Sequence, residues 1–445
     1  MNGPKAPRPL LSLDEALSRL RAISAGHAIT QGETVSTFDA LGRVLAEDVL
    51  SGLDVPPEDN TSMDGYVLRV ADLPAPGTVL PVSQRIPAGH VGSPLQPGTA
   101  ARIFTGGQVP QGADAVVMQE QCEAIAGEGL GSVQVNTSAE PGQWIRRRGE
   151  DVQRGAAVLL RGTRLTPQAL GLAASVGAGE LKVLRRPRAA LFSTGDELQM
   201  PGEVLRPGSI YNSNRFTLRA LLQAGGCEVH DLGIVRDTLQ ATRAALREAA
   251  AVADLIVTCG GVSVGEEDHL KPAAQAEGTL EDWQLAIKPG KPLAVGSIRR
   301  ASGDGKGDGD SNGNGNSNSN GNSNSNSEGQ GAALFIGLPG NPVSAYVTFV
   351  LAVSSALRTM QGMDDALPPG LPMKAAFDWP RPDRRREFLR VRFNAEGTLD
   401  LFPNQSSGVL TSAVWADGLV DNPPGQAISR GDTVRFLPLQ GLVSR

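Results

Sequence analysis

The spacing of apolar residues changes along the chain, and each pattern predicts a different kind of structure. Near the N-terminus, Ser12 and Glu15 form a capping box ahead of apolar positions spaced by three or four, which predicts an amphipathic helix. Residues 67–158 consist of short alternating runs separated by glycine or proline, which is typical of a β domain. Residues 370–445 have the same character and predict a second, smaller β domain.

From Arg188 onward, apolar runs rich in β-branched residues alternate with helical patterns. Strands that alternate with helices of this length predict a doubly wound, mostly parallel sheet with right-handed crossovers. The run 255–258 is apolar and lies between Asp254 and a pair of glycines, so it is predicted to be a strand buried on both faces. The predicted fold class is therefore a multidomain α/β and β protein.

Several of the predicted strands end in polar or glycine-rich loops. Ligands of open α/β sheets bind at the carboxyl ends of the strands, where glycine lets the backbone approach closely. We therefore predict that these loops form one binding crevice. Its candidate residues are Ser193, Thr194, Gly195, Asp196 and Glu197 after one strand, Gly260, Gly261, Ser263, Gly265 and Asp268 after another, Lys288, Pro289, Gly290 and Lys291 in a turn, and Asn341 and Ser344 at the start of a helix.

Charged side chains indicate what the crevice binds. Lys288 and Lys291 flank a Pro-Gly turn, so both ammonium groups can face one anionic ligand. Carboxylates at strand ends, such as Glu197 and Asp268, suit Mg²⁺ bound through one or two acids and the phosphates of a substrate, with Asp64 as a further candidate. Taken singly, each acid is better explained as a helix cap or a surface charge, but their recurrence in separate loops favours a site.

Two polar stretches before the α/β region are open to two interpretations each. Residues 59–66 form either a polar functional loop or a turn capped by its own side chains. Residues 144–151, with three consecutive arginines, form either a solvated charge run or part of a site. The sequence pattern alone does not decide between them.

The overall composition argues against several classes of protein. The 445 residues predict three or four domains, and a net charge of −6 without a long basic face argues against nucleic-acid binding. No apolar run approaches a membrane span and no signal peptide is recognisable, so we expect no membrane association and a cytoplasmic location. The scattered cysteines and histidines predict neither a disulfide framework nor a zinc site. The glycine and lysine motifs of standard dinucleotide and P-loop enzymes are missing from the sequence.

Residues 301–330 are almost wholly glycine, asparagine, serine and aspartate. Such a tract cannot bury enough apolar surface to order itself, so we predict a disordered insertion. It interrupts the sheet between strands around Leu293 and Phe335, where we expect a surface hairpin loop because added length there costs little closure entropy.

Seven motifs occur in one order along the chain. They are DNTSMDGY (59–66), IFTGGQVPQGADAVVMQE (103–120), IRRRGEDV (145–152), FSTGDEL (192–198), GGVSVGEEDHLK (260–271), IKPGKPLAVG (287–296) and GLPGNPVSA (337–345). Together they resemble the molybdopterin molybdenumtransferase family, the molybdenum-insertion enzymes of molybdenum cofactor biosynthesis, to which the E domain of gephyrin is related. The resemblance spans nearly the whole chain except residues 301–330.

The resemblance implies a homodimer of elongated, four-part subunits, with the pterin ligand held by the α/β domain near an acidic loop of the partner subunit. On this sequence the parts are an N-terminal α+β domain (10–54 and 141–180), an inserted mostly-β domain (55–140), the α/β molybdopterin-binding domain (181–363) and a C-terminal β domain (364–445).

The resemblance also implies a reaction in which adenylylated molybdopterin and molybdate give molybdenum cofactor and AMP, assisted by Mg²⁺. It allows a contact with the adenylylating enzyme of the preceding step. The positions that match family residues important for activity are Asp64, Thr105, Asp151, Glu197, Asp268, Lys288, Lys291 and Ser407. Among them, Asp64, Glu197 and Asp268 are expected to hold Mg²⁺, and the two lysines to neutralise phosphate or molybdate.

The chain departs from the family pattern at two places. Thr61 and Ser62 stand where the family more often has serine and alanine, and Cys259 stands where serine or threonine is common. Neither departure changes a charge, so activity is expected to survive. The alternatives are the adenylyltransferase of the preceding step, whose single domain resembles residues 185–363, a non-catalytic scaffold, and a pterin or molybdate carrier.

Overall fold

The computed structural model describes residues 10–262, 269–300, 331–363 and 369–443. Ser263, Gly265, Asp268 and the 301–330 tract, for which the sequence analysis made predictions, lie outside the described residues.

The chain divides into two compact units. The α/β unit consists of Met1–Glu33, Gly42–Ala46 and Val183–Arg445, and the β unit consists of Thr34–Leu41 and Glu47–Lys182. The boundaries of the four predicted parts stay predictions.

The described residues form helices and strands in the following order. The helices are α1 (Leu13–Ala25), α2 (Pro167–Ser175), α3 (Ser213–Ala224), α4 (Leu239–Val252), α5 (Leu270–Glu277), α6 (Pro342–Thr348), α7 (Ser354–Met360), α8 (Thr411–Trp415) and α9 (Leu439–Val443), with 3-10 turns at Thr37–Asp39, Val70–Asp72 and Gln119–Gln121 and a π-helical stretch at Phe349–Val353. The first strands are β1 (Gly32–Ser36), β2 (Val49–Leu50), β3 (Asn60–Thr61), β4 (Gly65–Leu68), β5 (Thr78–Ile86), β6 (Ala100–Ile103), β7 (Ala115–Met118), β8 (Cys122–Ile125), β9 (Ser132–Val135), β10 (Ile145–Arg146), β11 (Ala157–Leu159) and β12 (Glu180–Leu184). The later strands are β13 (Arg188–Thr194), β14 (Leu198–Gln199), β15 (Ile210–Tyr211), β16 (Glu228–Val235), β17 (Leu255–Cys259), β18 (Gly278–Gln284), β19 (Ile287–Lys288), β20 (Pro292–Arg299), β21 (Ala332–Leu338), β22 (Leu371–Lys374), β23 (Arg386–Phe393), β24 (Leu399–Leu401), β25 (Gly418–Asn422) and β26 (Thr433–Pro438).

A six-stranded sheet forms the centre of the α/β unit, in the order β16-β13-β17-β21-β20-β18. β13 pairs in parallel with β16 and β17, and β17 pairs in parallel with β21. β20 is antiparallel to both of its neighbours, so every strand except β20 runs in one direction and the mostly parallel sheet is confirmed. β20 and β21 form the hairpin predicted on either side of the 301–330 tract.

Side chains alternate between the two faces of this sheet, and helices cover both faces. Leu191 and Val257 belong to an apolar cluster with residues of α1, α3, α6 and α7. Phe192 and Ile256 belong to a second cluster with residues of α4 and α5. Because both faces are buried, these strands appear in the sequence as continuous apolar runs, and the doubly wound arrangement is confirmed.

The helix that runs from Pro342 to Met360 through α6, the π-helical stretch and α7 is, within the described ranges, the one long and apolar enough to cross a membrane. However, 83% of its apolar window is buried inside the protein. Val350 and Leu357 contribute to the core cluster of the sheet. Packing in the core therefore explains its composition, since a helix that is apolar on all sides is typical of the centre of a large domain.

A second sheet of the α/β unit has the order β19-β23-β25-β26-β22, with β24 paired to β23. Phe388 and Leu419 of this sheet join the core cluster of the central sheet, whereas Val391 and Phe436 belong to a separate core. The small β structure predicted near the C-terminus is therefore present. Its contact with the central core brings the loops around β23 to the carboxyl ends of the parallel strands.

The β unit is organised around a sheet in the order β7-β4-β6-β5-β9-β8. Leu68 and Val117 are buried in one apolar cluster, and their sequence neighbours Val67 and Val116 in another. This alternation confirms the predicted β architecture, since successive side chains of a strand point to opposite faces. Thr166 caps α2 through a hydrogen bond from the Ala169 amide, as its sequence predicts.

Candidate functional site

The α/β unit contains a cavity of about 880 Å³ at the carboxyl ends of its parallel strands. A cavity therefore lies where the sequence predicts a crevice, because the loops after β13, β17 and β21 meet at one edge of the sheet. The predicted residues that line it are Ser193, Thr194, Gly195, Glu197, Gly260, Gly261, Lys288, Pro289, Gly290, Lys291, Asn341, Ser344 and Ser407. Asp196 is not among the lining residues; its exposed carboxylate lies beside the Asp237 amide.

Two glycines let the backbone of the cavity wall pack closely. Gly260 has φ +95°, and a Cβ atom there would lie 2.7 Å from the carbonyl oxygen of Thr194. Gly290 has φ +109°, and a Cβ atom there would overlap the Thr348 hydroxyl. Positive φ and close approach both exclude a side chain at these positions, as predicted for loops that bring the backbone to a ligand.

The two predicted lysines differ in their surroundings. Lys288 Nζ lies 3.2 Å from Glu387 Oε1 and 3.5 Å from Asp383 Oδ2, and the Glu387 side chain is almost fully buried. The charge of Lys288 is therefore largely compensated by the protein. Lys291 is exposed and forms no ion pair with any other described residue, so it is the lysine free to meet an anionic ligand.

A third cation of the wall, Arg385, was not found by sequence reasoning, although it lies in the conspicuous run 384–386. Its guanidinium donates to both oxygens of Asp383, at 3.0 and 2.9 Å. This hydrogen bonding holds the pKa of Asp383 well below its usual range. Arg385 and Lys288 thus share a carboxylate, and both are positioned by it.

Glu197 is the predicted metal-binding acid that reaches the cavity. It is exposed, and its carboxylate folds back over Gly195, where Oε2 lies 2.6 Å from the place a Cβ atom would occupy. No hydrogen bond or ion pair joins its carboxylate to another described residue. Within the described ranges no group of three or more histidine, cysteine or acidic side chains is arranged to hold a metal, and the predicted ligand Asp268 lies outside those ranges. The magnesium site therefore stays a prediction.

The start of the helix at Pro342 forms part of the wall. Asn341 occupies the N-cap position as predicted, but its side chain makes no capping hydrogen bond. The Val343 amide donates instead to the carbonyl oxygen of Ser407 at 2.9 Å. This bond attaches the Ser407 turn to the helix, and Ser407 lies in the cavity wall. Ser344 is buried beside it.

Cys259 and Asn214 connect the strand ends beneath the cavity. The Cys259 thiol donates to the Pro339 carbonyl at 3.2 Å and accepts from Asn214 Nδ2 at 3.0 Å. Burial raises the pKa of Cys259 to about 12, so the thiol stays protonated at neutral pH. Asn214 also donates to the Gly340 carbonyl at 2.7 Å. Asn214 was missed because the Asn-Ser-Asn sequence at 212–214 looks like an ordinary helix cap.

Asp64 and Thr105 belong to the β unit, where the fold brings them together. The amide and the hydroxyl of Thr105 both donate to Asp64 Oδ1, each at 2.7 Å. The backbone hydrogen bond from Thr105, followed by the one from its hydroxyl, lowers the pKa of Asp64. Its second oxygen, Oδ2, makes no hydrogen bond to a described residue. The carboxylate is therefore ionised, and its Oδ2 atom is available to a ligand.

The 59–66 loop is both self-capped and tied to the 144–151 stretch. Thr61 Oγ1 accepts from the Met63 amide at 3.1 Å, which is the local capping expected of a tight polar turn. Strand β3 of this loop pairs antiparallel with β10. Arg147 lies 2.6 Å from Asp59, so the arginine run is not merely a solvated face. Asp151 is exposed, and its carboxylate makes no hydrogen bond to a described residue.

Family models match three regions of the chain. The MoeA N-terminal region (domain I and II) matches residues 11–177, the probable molybdopterin binding domain matches 190–359, and the MoeA C-terminal region (domain IV) matches 372–439. The molybdopterin molybdenumtransferase of Haemophilus influenzae is 35% identical over 98% of this chain and 100% of its own length. Molybdopterin molybdenumtransferase 2 of Mycobacterium tuberculosis is 36% identical over 88% of this chain and 90% of its own length.

A solved structure has the same fold over nearly the whole length. The molybdopterin biosynthesis MoeA protein from Pyrococcus horikoshii OT3 is 27% identical, covers 96% of this chain and 99% of its own chain, and superposes with a TM-score of 0.75. Sequence and fold comparisons therefore point to the same group of proteins.

Proposed function

The chain belongs to the molybdopterin molybdenumtransferase family, transferase enzymes of molybdenum cofactor biosynthesis, and on that premise we propose that it transfers molybdenum from molybdate to adenylylated molybdopterin with release of AMP. The cavity at the strand ends carries the proposal, because it combines glycine-lined backbone with an unpaired cation, Lys291. A phosphorylated, anionic substrate suits such a wall.

The residues of the wall have separate tasks in this proposal. Lys291 neutralises a phosphate or molybdate oxygen, whereas Lys288 and Arg385 are paired with buried and half-buried acids and hold the wall in a fixed position. The turn that contains Gly290 and the Ser407 turn shape the space around the anion. Positioning of this kind supplies much of the rate in phosphoryl chemistry.

Magnesium is part of the proposal. The residues present fit a hard cation, because Glu197 presents an unpaired carboxylate in the cavity and Asp64 keeps one oxygen unengaged. Asp64, Glu197 and Asp268 would hold the ion, which when bound supplies charge neutralisation at the phosphoanhydride.

The proposed assembly is a homodimer in the cytoplasm that receives adenylylated molybdopterin, with a contact to the adenylylating enzyme of the preceding step. The adenylyltransferase alternative is not favoured, because family matches extend through all three regions and the Haemophilus influenzae relative matches over its full length. A scaffold or carrier role has no specific support in the structure.

Release of AMP from adenylylated molybdopterin by the purified chain tests the proposal. We expect release that depends on molybdate and is stimulated by Mg²⁺. Asp64→Ala and Glu197→Ala should each lower the rate about 100-fold or more, since each removes a group that orients the reacting phosphate.

Matched controls are Glu123→Ala in the β unit and Glu248→Ala in the α/β unit, both exposed acids away from the motifs. Their rates should equal that of the unmodified chain. Tight binding of adenylylated molybdopterin without release of AMP would contradict the proposal and indicate a carrier.

A further inference from the structure

Arg102 contacts the chain on both sides of the Asp64–Thr105 hydrogen bonds. It lies on β6, and its Nη1 donates to the carbonyl oxygen of Gly65 at 3.0 Å. Gly65 follows Asp64 directly. Its backbone packs so closely on β7 that a Cβ atom there would overlap the Val117 carbonyl. The first contact of Arg102 therefore holds the chain just after the acid.

The second contact reaches Asp64 from another strand end. Arg102 Nη2 donates to the side-chain oxygen of Gln119, and the Gln119 amide donates to the carbonyl oxygen of Asp64 at 3.0 Å. A charged donor makes stronger hydrogen bonds than a neutral one. Arg102 thus bonds the Gly65 carbonyl directly and holds the side chain of Gln119, whose backbone amide bonds the Asp64 carbonyl.

The third contact lies next to Thr105. The Arg102 guanidinium carbon lies 4.7 Å from the centre of the Phe104 ring, and Phe104 precedes Thr105 in the chain. Arg85, the residue opposite Arg102 on β5, lies 4.6 Å from the same ring. Two arginines side by side on neighbouring strands repel each other, so the pair needs a compensating interaction, which the ring face supplies.

Arg85 and Arg102 differ in one respect. Both lie against the Phe104 ring, but the side chain of Arg85 is exposed and makes no hydrogen bond to a described residue. Only Arg102 joins the ring to the Gly65 carbonyl and to Gln119. Arg85 is therefore a natural control for the effect of ring packing.

We propose that Arg102 is a positioning residue that holds Asp64 and Thr105 in their hydrogen-bonded arrangement. Arg102 makes no hydrogen bond to either of these residues and acts through Gly65, Gln119 and Phe104. Its importance for catalysis rests on the proposed function, whereas its importance for the geometry of the loop does not.

Hydrogen exchange of backbone amides in the full, ligand-free chain tests the geometry. Arg102→Met keeps an apolar stem against the ring and removes the donors. We expect the Thr105 and Gln119 amides to exchange about tenfold faster in this variant, because loss of charged hydrogen bonds lowers the cost of local opening. Arg85→Met should leave both amides unchanged.

Arg102→Lys provides a second variant if Arg102→Met does not fold. Lysine keeps the charge but cannot serve two acceptors with a planar fork, so exchange should accelerate less than in the methionine variant. Equal acceleration by the Arg85 and Arg102 variants would assign the effect to ring packing and overturn the proposal. Unchanged exchange in the Arg102 variants would overturn it as well.

AMP release separates this proposal from the proposed function. In an active chain, Arg102→Met should lower kcat about tenfold with little change in KM, because Arg102 orients an acid and does not bind the substrate. Arg102→Lys should recover part of kcat. If the unmodified chain releases no AMP, the proposed function fails, and the exchange experiment still decides whether Arg102 positions the loop.

Discussion

Among the described residues, the cavity of the α/β unit leaves a cation, Lys291, unpaired beside the carboxylate of Glu197, whereas the Asp64 loop of the β unit leaves only acid oxygens unpaired. In the cavity, Lys288 is paired with acids and Lys291 is not. In the loop, the acid Asp59 is paired with Arg147, whereas the carboxylate of Asp64 accepts hydrogen bonds from neutral Thr105 and from no other described residue. In both regions the paired charges hold the backbone in place. Unpaired charge, on Lys291 in the cavity and on Asp64 in the loop, is left for a ligand.

The two regions also differ in how their backbone is held. The cavity wall is held by glycines packed against other chain segments, whereas the Asp64 loop is held by hydrogen bonds and exposed ion pairs in addition to the close packing of Gly65. Packing defects cost more free energy than the loss of exposed ion pairs. Substitutions in the cavity are therefore expected to have the larger effects on stability.

The largest effect is expected from Gly290→Ala. Its φ of +109° and the overlap with the Thr348 hydroxyl should together lower the free energy of unfolding by about 3 kcal/mol. Gly208→Ala is the control, because Gly208 has φ +80° with open space around its Cβ position. This variant should lower the free energy of unfolding by about 1 kcal/mol. Urea unfolding measures both. Equal losses would show that the cavity wall is not close-packed at Gly290.

A smaller effect on the free energy of unfolding is expected when Lys288 and Lys291 are replaced, and it should differ between the two. Lys288→Ala should lower the free energy of unfolding by about 2 kcal/mol. The buried carboxylate of Glu387 would lose the hydrogen bond from Lys288 and keep only the one from Trp379 Nε1. Lys291→Ala should change the free energy of unfolding by less than about 0.5 kcal/mol. Both variants should bind AMP more weakly than the exposed-lysine control Lys374→Ala in calorimetric titrations. A loss of stability in Lys291→Ala as large as that in Lys288→Ala would remove the distinction between paired and free lysine.

The smallest effect is expected from Thr105→Val, which removes the hydroxyl bond to Asp64 and keeps the amide bond. Because these bonds lower the pKa of Asp64, they stabilise the folded chain above the ordinary pKa of about 3.9 and are lost as the pH falls through the lowered value. The pKa of Asp64 should therefore rise in the valine variant. Carboxyl NMR titration measures it, and Thr105→Ser should keep the original value. An unchanged pKa in the valine variant would mean that the amide bond alone lowers it.

Local features of the fold could be predicted because their partners lie close in the sequence. The cap of α1 joins Ser12 to Glu15, and the cap of α2 joins Thr166 to Ala169, so each is visible within four residues. The strand at 255–259 was visible because both of its faces are buried and its residues are therefore mostly apolar or β-branched. Carboxyl ends of such strands meet at one edge, so the cavity could be expected as well.

Features that depend on distant partners could not be predicted in the same way. Lys288 pairs with Glu387, 99 residues away, and the Ser407 turn attaches to the start of a helix at Val343. No local pattern indicates which acid will reach a given lysine, since strand order and register decide it. Family resemblance identified Asp64 and Thr105, but it did not reveal that Arg102 lies behind them.

The sequence by itself therefore determined the secondary structure, the alternating architecture and the membership of the family, because these depend on spacing and on motif order. The tertiary structure alone decided which charges are neutralised and which are left free. A charge is neutralised only when a partner comes within a few ångströms, and that distance is set by the packing of segments far apart in the chain. The free Lys291 and the hydroxyl-bound Asp64 are products of that packing.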